Sequence, residues 1–350
     1  MRFSRFLPGV LGLGLIQLLA STGVEAASAR QEDKPAVVKK VVKKPAAVTA
    51  RKASVVRAAA KPRVVAGKRA KTVVAKKASV VIPAAAVTAS AGLPALSSAS
   101  VLVTNQSTGE VLLEKNAEAV VPIASITKLM TAMVVLDAQL SLSEELAVTD
   151  EDVDTLKGSS SRLPVGTRLD REEMLRLALM ASENRAASAL SRHYPGGRPA
   201  FVAAMNRKAE AIGLSDTRFH DSTGLTSSNV SSARDLAKMV AAASRYPLIR
   251  EFSTTPEHEV AVAGRMRRFG NTNALVKSPE WDIGVSKTGY ISESGRCLVM
   301  QAWMNNKPLI IVLLDSLGKY TRVADAQRIR KWLEAAGAQH IAVTNPSRAG

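Results

Sequence analysis

The chain has 350 residues, 46% of them hydrophobic, and a formal net charge of +18. Its single cysteine, Cys297, excludes an intramolecular disulfide, and its apolar neighbours indicate a buried core residue rather than a nucleophile. The four histidines are scattered, and neither an H-E-x-x-H motif nor a Cys/His cluster occurs. A metal-dependent mechanism therefore has little support.

The N-terminus has the pattern of an export signal. Arg2 and Arg5 precede an apolar run at residues 7–20, which is shorter than the roughly 20 residues that a membrane span needs. Small residues follow, with cleavage sites after Ala26 or after Ala29. We therefore predict that residues 1–29 are a signal peptide and that the mature protein is exported and soluble. An uncleaved anchor is the alternative.

Most of the positive charge lies in a tail, residues 30–92. Residues 30–79 hold sixteen Lys or Arg and two acids, a net of +14; residues 1–29 add +1 and residues 80–350 the remaining +3. Because the tail has no aromatic residue and too little bulky apolar surface for a core, its composition predicts disorder. A solvated linker is the favoured interpretation, and an electrostatic tether to anionic envelope polymers is the functional alternative.

The folded part is expected at residues 93–340, followed by a short tail at 341–350. In chain order the hydrophobic patterns predict a hairpin (101–103 with 111–113), a buried helix (125–139), three more helices (about 174–180, 200–212 and 232–243), three strands (283–290, 297–304 and 309–314) and a closing amphipathic helix (322–336). Strands first, then helices, then strands indicate an α+β fold with helices packed on an antiparallel sheet.

The first candidate site is the string Ser125-Ile126-Thr127-Lys128 at the start of the buried helix. There the helix-end N–H groups and the positive end of the helix dipole face charge that develops during acyl transfer. Lys128, at i+3, lies on the same face as the hydroxyl. It can act as the base for Ser125 only if burial and a nearby cation lower its pKa. The simpler alternative is a helix-capping serine beside a solvated lysine.

The second string is Ser182-Glu183-Asn184. If the local chain is extended, Ser182 and Asn184 point to the same side and Glu183 points away. A hydroxyl there could relay a proton to a leaving amine, and the amide could hold the substrate backbone or Lys128. An ordinary trio inside a helix is an equally good interpretation of this loose pattern.

The third string, Lys287-Thr288-Gly289, lies in a predicted strand, where Gly289 permits a substrate to align as an added strand. The N–H groups of Tyr290 and Ser125 would then form an oxyanion hole. Lys287, the proposed cation near Lys128, would bind a substrate carboxylate together with Thr288. Arg296 could contribute from the next strand, although a surface arginine at a strand start is commoner.

Each string is weak alone, since S-x-x-K recurs at 316–319 and S-x-N at 227–229. In the order S-x-x-K, S-x-N, K-T-G, however, the chain resembles the low-molecular-mass penicillin-binding D,D-peptidases, and in particular the periplasmic D-alanyl-D-alanine endopeptidases. The resemblance covers about residues 95–335. Its most specific stretches are residues 125–137, 177–187, 223–225, 233–236 and 286–289.

This resemblance implies a sheet-centred fold with a helical lobe and an active site in the cleft between them. It implies Ser125 as nucleophile, Lys128 as base, Ser182 with Asn184 as proton relay, and Lys287 for carboxylate binding. The implied partners are peptidoglycan stem peptides, with β-lactams as covalent inhibitors of Ser125. The resemblance implies neither a metal nor an organic cofactor, and it places the protein in the periplasm.

The resemblance leaves the cleaved bond open. A carboxypeptidase removes terminal D-Ala and an endopeptidase cuts the D-Ala–diaminopimelate cross-link, and both bonds have a free carboxylate beside the leaving nitrogen. Only 61 residues follow Gly289, too few for the β-rich domain and anchor that the carboxypeptidases commonly append, so we expect an endopeptidase. A carboxypeptidase is second and a serine β-lactamase third. A cationic binding protein is the non-enzyme alternative, with nucleic acid an unfavoured partner because an export signal leads away from DNA.

Overall fold

A computed structural model describes residues 92–344, with side chains placed as far as residue 336. The predicted signal peptide (1–29), the basic tail up to residue 91 and the last six residues lie outside the described residues. Within the described part, none of the helices has the combination of length and hydrophobicity needed to cross a membrane.

The structure consists of short strands, three consecutive strands of 10 residues joined by tight turns, and a set of helices. The strands are β1 (Ser98–Asn105), β2 (Val111–Lys115), β3 (Val121–Pro122), β4 (Glu145–Ala147), β5 (Arg168–Asp170), β6 (Val230–Ser231), β7 (Glu257–Val262), β8 (Arg265–Gly270), β9 (Asp282–Ile291), β10 (Gly295–Met304) and β11 (Lys307–Ser316). The helices are α1 (Thr127–Asp137), α2 (Arg171–Met180), α3 (Asn184–Arg192), α4 (Gly197–Ala211), α5 (Ala233–Ala243), α6 (Pro247–Thr254) and α7 (Thr321–Thr344).

An antiparallel sheet lies at the centre, with the strand order β2-β1-β11-β10-β9 in the described part. The middle strands are apolar on both faces because both faces are covered. On β10, Cys297 and Val299 belong to the core beneath the helical lobe, whereas Leu298 and Met300 pack with residues of α7. The sheet order leaves β9 at an edge, and no strand of the described residues pairs with its outer side.

The helical lobe is built around α1. Residues 127–135 are all buried, and α1 packs against helices α2 to α6. Asp170 starts α2 by accepting a hydrogen bond from the N–H of Glu173 at 2.7 Å, the cap that its sequence predicts. The strings of the candidate site therefore lie on the innermost helix of the lobe, on a turn of the lobe and on the edge of the sheet.

The predicted α+β class, with an antiparallel sheet flanked by helices, is confirmed. Several details differ from the prediction. The first turn of the helix expected at 125–139 is a 3-10 turn, Ala124–Ile126, and α1 itself ends at Asp137. The closing helix extends past the expected end at residue 336 to Thr344. Helices α3 and α6 and the β7–β8 hairpin had no counterpart in the prediction.

Candidate active site

Ser125 lies in a strained turn between β3 and α1. The preceding residue, Ala124, has φ of 47°, a left-handed conformation that is uncommon for a residue with a Cβ. Two glycines press against this turn. A Cβ on Gly224 would lie 1.9 Å from the Ala124 carbonyl oxygen, and one on Gly289 would lie 3.1 Å from the Ser125 nitrogen. The close approach of these two backbones confines the turn and with it the direction of the Ser125 N–H.

Lys128 is buried directly behind Ser125, with 1% of its surface exposed. Its Nζ lies 2.8 Å from Ser125 Oγ and donates to Asn184 Oδ1 and to the Thr223 carbonyl oxygen, each at 2.7 Å. Burial lowers its pKa from the ordinary 10.5 to about 7, against the opposing effect of the Asp221 and Glu183 carboxylates. A neutral amine has two hydrogens and one lone pair. Since two carbonyl oxygens take the hydrogens, the lone pair faces the Ser125 hydroxyl.

Lys287 is a second buried amine, on the edge strand β9. Its Nζ donates to Ser182 Oγ at 2.9 Å and to the Thr288 carbonyl oxygen at 3.0 Å. Its pKa is lowered well below the ordinary value, first by burial and then by the charges of Lys128 and Arg322. Burial is the main cause of the lowered pKa of both amines, and repulsion between the two lysine charges adds to it.

Ser182 and Asn184 both reach this group of side chains, although not through an extended chain. Ser182 has φ of 60°, Glu183 is the N-terminal cap residue of α3, and Asn184 is the first residue of that helix. The expectation of an extended segment is therefore wrong, because α2 ends at Met180 and the chain turns at once into α3. Glu183 does point elsewhere, since its buried carboxylate accepts hydrogen bonds from Ser161 at 2.7 Å and Arg162 at 3.2 Å.

The outer edge of β9 presents unpaired N–H groups toward Ser125. Ser286 donates its N–H to Ser253 Oγ at 3.2 Å, so this N–H points away from β10. In an antiparallel ladder every second N–H points the same way, which directs those of Thr288 and Tyr290 toward the free edge. Together with the close approach of Gly289 to the Ser125 nitrogen, this places the Tyr290 and Ser125 N–H groups on one groove.

An arginine that the sequence did not single out lies beside the strand edge at Gly289. Arg322, in the first turn of α7, points its Nη1 at the Gly289 carbonyl oxygen, 3.5 Å away. Its buried Nε has no hydrogen-bond acceptor among the described residues. Arg296, the sequence candidate, instead stacks its guanidinium on the ring of Tyr290, 4.4 Å from the centroid. Nothing in the local sequence marks Arg322, because only the packing of α7 on the sheet brings it next to Gly289.

The structure thus brings two hydrogen-bonded groups together beside an open strand edge, Lys128 with Ser125 and Asn184, and Lys287 with Ser182, and the two amines are close enough to affect each other electrostatically. A serine with a buried amine as its neighbour, on a sheet flanked by helices, defines the class of penicillin-binding serine peptidases. The family model described as D-alanyl-D-alanine carboxypeptidase, peptidase S11, matches residues 86–318. The chain belongs to this family.

Comparison with individual proteins gives the same class. The chain is 51% identical over 249 residues to a D-alanyl-D-alanine endopeptidase of Pseudomonas aeruginosa, covering 70% of this chain and 80% of that protein. It is 47% identical over 253 residues to a D-alanyl-D-alanine endopeptidase of Escherichia coli, covering 72% and 81%. The crystal structure of the Streptomyces K15 DD-transpeptidase superposes with a TM-score of 0.65 at 28% identity, covering 70% of this chain and 99% of that one. The predicted serine D,D-peptidase class is confirmed.

Proposed function

We propose that the chain is a serine D,D-endopeptidase that hydrolyses D-Ala–diaminopimelate cross-links in peptidoglycan through an acyl-enzyme on Ser125. The observation that carries the proposal is the buried amine of Lys128, whose pKa is lowered to about 7 and which lies 2.8 Å from Ser125 Oγ, next to a free strand edge. The endopeptidases among its relatives support the same choice.

Acylation begins when Lys128 Nζ takes the hydroxyl proton of Ser125. Oγ then bonds to the carbonyl carbon of the D-Ala residue, and the carbonyl oxygen becomes an oxyanion. The N–H groups of Ser125 and Tyr290 hydrogen-bond to this oxyanion, and such preorganised donors contribute about 10²–10³-fold each to acyl transfer. The turn at Ala124 holds one donor and the edge of β9 holds the other.

Collapse of the tetrahedral intermediate breaks the bond to the leaving nitrogen. Ser182 donates its hydroxyl proton to that nitrogen and regains a proton from the Lys128 ammonium, so the proton taken from Ser125 ends on the leaving amine. Lys287 orients Ser182 by its 2.9 Å hydrogen bond. Water then attacks the acyl-enzyme, Lys128 takes its proton, and Ser125 regains a hydroxyl.

The carboxylate beside the leaving nitrogen binds at Lys287, Thr288 and Arg322. Because its pKa is lowered well below the ordinary value, Lys287 cannot be relied on as a permanent cation. The guanidinium of Arg322 supplies the positive charge at this end, since arginine stays protonated and binds carboxylates through paired N–H groups. Arg322 therefore takes the role that Arg296 was expected to share.

Room beside Ser182 favours an endopeptidase over a carboxypeptidase. A cavity of about 340 Å³ is lined by residues 160–162 and 181–184, next to the hydroxyl that meets the leaving amine. Free D-Ala does not need this volume, whereas the stem that continues from a cross-linking diaminopimelate does. A D-alanyl-D-alanine carboxypeptidase, the activity in the family description, is the second candidate.

Purified protein incubated with cross-linked muropeptide dimers and with uncross-linked pentapeptide monomers separates the two. We expect the dimers to yield monomers without release of free D-Ala, as measured by mass spectrometry. Release of D-Ala from pentapeptide monomers with intact dimers would instead establish the carboxypeptidase. Penicillin-binding without turnover of either substrate would contradict both.

The predictions for the N-terminal residues extend this proposal. With residues 1–29 as export signal, the enzyme would act in the periplasm as a cleaved, soluble protein. The sixteen Lys and Arg residues of the tail would then face anionic envelope polymers, where each contributes up to about 1 kcal/mol at an anionic surface. A fluorescent fusion of residues 30–92 should release from isolated envelopes as salt rises. Retention that does not change with salt would contradict the electrostatic tether and favour the solvated linker.

A further inference from the structure

An ion pair joins the two walls of the groove beyond Tyr290. Lys157, in the loop between β4 and β5, donates a hydrogen bond to Glu293, in the turn between β9 and β10. Both side chains are accessible, with exposed fractions of 29% and 41%. The hydrogen bond from Lys157 lowers the pKa of the Glu293 carboxyl to about 2, so this carboxylate is ionised at neutral pH.

The loop that carries Lys157 is fixed beside the active-site amide. Asn184 donates its Nδ2 hydrogen to Ser159 Oγ at 2.9 Å. Asp154 accepts from the backbone N–H groups of Leu156, Lys157 and Ser159 at 2.8, 3.0 and 2.8 Å. A cavity of about 230 Å³ separates this loop from the loop that supplies the Thr223 carbonyl to Lys128. The Lys157 ammonium is therefore held at the rim of the groove by a loop of defined shape.

The turn that carries Glu293 continues the edge strand along which the substrate lies. The leaving-group carboxylate binds at Lys287, Thr288 and Arg322, so the acyl part of the substrate extends the opposite way, past Tyr290. Glu293 follows Tyr290 by three residues, a separation of at most roughly 10 Å along the chain. The residue that precedes the reacting D-Ala has a side chain that can reach this point.

We propose that Lys157 and Glu293 together bind the side chain of the residue before the reacting D-Ala, and that this side chain ends in an ammonium and a carboxylate on one carbon, as diaminopimelate does. The substrate carboxylate takes the place of Glu293 on Lys157, and the substrate ammonium takes the place of Lys157 on Glu293. This assignment rests on the proposed function and names the substrate feature that it selects.

The charge pattern explains why a two-ended group is preferred. A side chain with an ammonium alone, such as lysine, satisfies Glu293 but leaves Lys157 without a partner. A side chain whose carboxylate has been amidated does the same. Exposed ion pairs change equilibria by up to about five-fold, which sets the size of the preference.

The test compares two cross-linked dimers that differ only in the donor stem, where the free carboxylate of diaminopimelate is intact or converted to a carboxamide. We expect wild-type kcat/KM to be about three- to five-fold higher for the free carboxylate. Lys157→Met should bring this ratio close to one. Arg168→Met is the matched control, because it removes an exposed ion pair with Glu145 on the β4–β5 hairpin and should keep the wild-type ratio.

Equal kcat/KM for the two dimers in the wild-type enzyme would overturn this assignment alone, as would a ratio that persists in Lys157→Met. Fluorescent penicillin has no such side chain and reports whether Ser125 is still assembled. Labelling that falls in Lys157→Met in parallel with dimer cleavage would mean that the pair only supports the loop. A wild-type enzyme that cleaves neither dimer would overturn the proposed function and this assignment with it.

Discussion

The chain contains two serine–lysine pairs with the same S-x-x-K spacing, and the structure treats them differently. Lys128 is buried with its Nζ 2.8 Å from Ser125 Oγ. In the second pair, Ser316 Oγ forms a 2.5 Å hydrogen bond with Ser98 Oγ at the end of β11. Lys319 is exposed, with its ammonium over the ring of Tyr320. One pair is buried and hydrogen-bonded, and the other is a strand end followed by a surface loop.

The difference comes from the elements that carry the two strings. Residues 124–126 form a 3-10 turn that continues into α1. The helical spacing therefore brings Lys128, three residues after Ser125, to the same face as Ser125. β11 ends at Ser316, and α7 begins only at Thr321, so the same spacing there crosses a loop. A spacing pattern indicates a reactive pair only where a buried helix carries it.

The largest expected effect is the loss of the nucleophile. Ser125→Ala should lower cross-link hydrolysis by at least about 10⁴-fold and abolish labelling by fluorescent penicillin, because no acyl-enzyme can form. Ser316→Ala removes the hydroxyl of the other S-x-x-K string and should still be labelled. Gel fluorescence after incubation with labelled penicillin measures both. Labelling that survives in Ser125→Ala would place the nucleophile elsewhere.

The next effect is that of the base. Lys128→Met keeps the length of the side chain but removes the amine that accepts the Ser125 proton, and acylation should slow by about 10²–10⁴-fold. Lys319→Met should acylate at the wild-type rate. Both rates are measured as the time course of penicillin labelling, with circular dichroism to check that each variant is folded. Equal rates in Lys128→Met and wild type would show that Ser125 is activated by another group.

The same contrast separates the features that local sequence determines from those that depend on tertiary contacts. The three strings, their order and the strands β9 to β11 could be predicted, because apolar runs and i,i+3 spacing are local properties. The left-handed turn at Ser182 could not, since it depends on α2 ending where α3 must begin. The repeat S-x-N string at 227–229 shows the same limit. Its Asn229 is buried and donates to Thr127 Oγ1 and Asp221 Oδ1, so it connects the start of α1 to the loop at Asp221.

Elements that owe their form to distant contacts were missed for the same reason. The β8 strand has five exposed residues among its six and no alternating pattern. Its one buried residue, Phe269, lies under the guanidinium of Arg162 from the loop before β5, at 4.2 Å from the ring centroid. Arg322 is likewise invisible locally, because only the packing of α7 brings it to Gly289.

A smaller effect distinguishes the two arginines at the carboxylate end. Arg322→Gln should raise KM for cross-linked dimers by about 10–100-fold with a lesser change in kcat, because a charge-assisted hydrogen bond to the substrate carboxylate contributes about 1.5–3 kcal/mol. Lys331→Gln, an exposed position on the same helix, is the matched control and should behave as wild type. If Arg296→Gln raises KM more than Arg322→Gln does, the original assignment of Arg296 stands.

The smallest effect is a pH dependence that belongs to Lys128. Burial lowers its pKa to about 7, and only the neutral amine can take the Ser125 proton, so acylation should rise with pH through this value. The neutral fraction falls from about one half at pH 7 to about one tenth at pH 6, which predicts a roughly five-fold slower rate of labelling.

The same lowered pKa gives a stability change of known sign. Between about pH 7 and 10 the unfolded chain holds the Lys128 proton and the folded chain does not, so this group makes unfolding less favourable as pH rises. Labelling rates from pH 5.5 to 8.5 at constant ionic strength, on wild type and on Lys128→Met, test the assignment. The inflection near pH 7 should vanish in the variant along with most of the rate. An inflection that persists there would belong to another group, and the buried amine at position 128 would no longer explain the reactivity of Ser125.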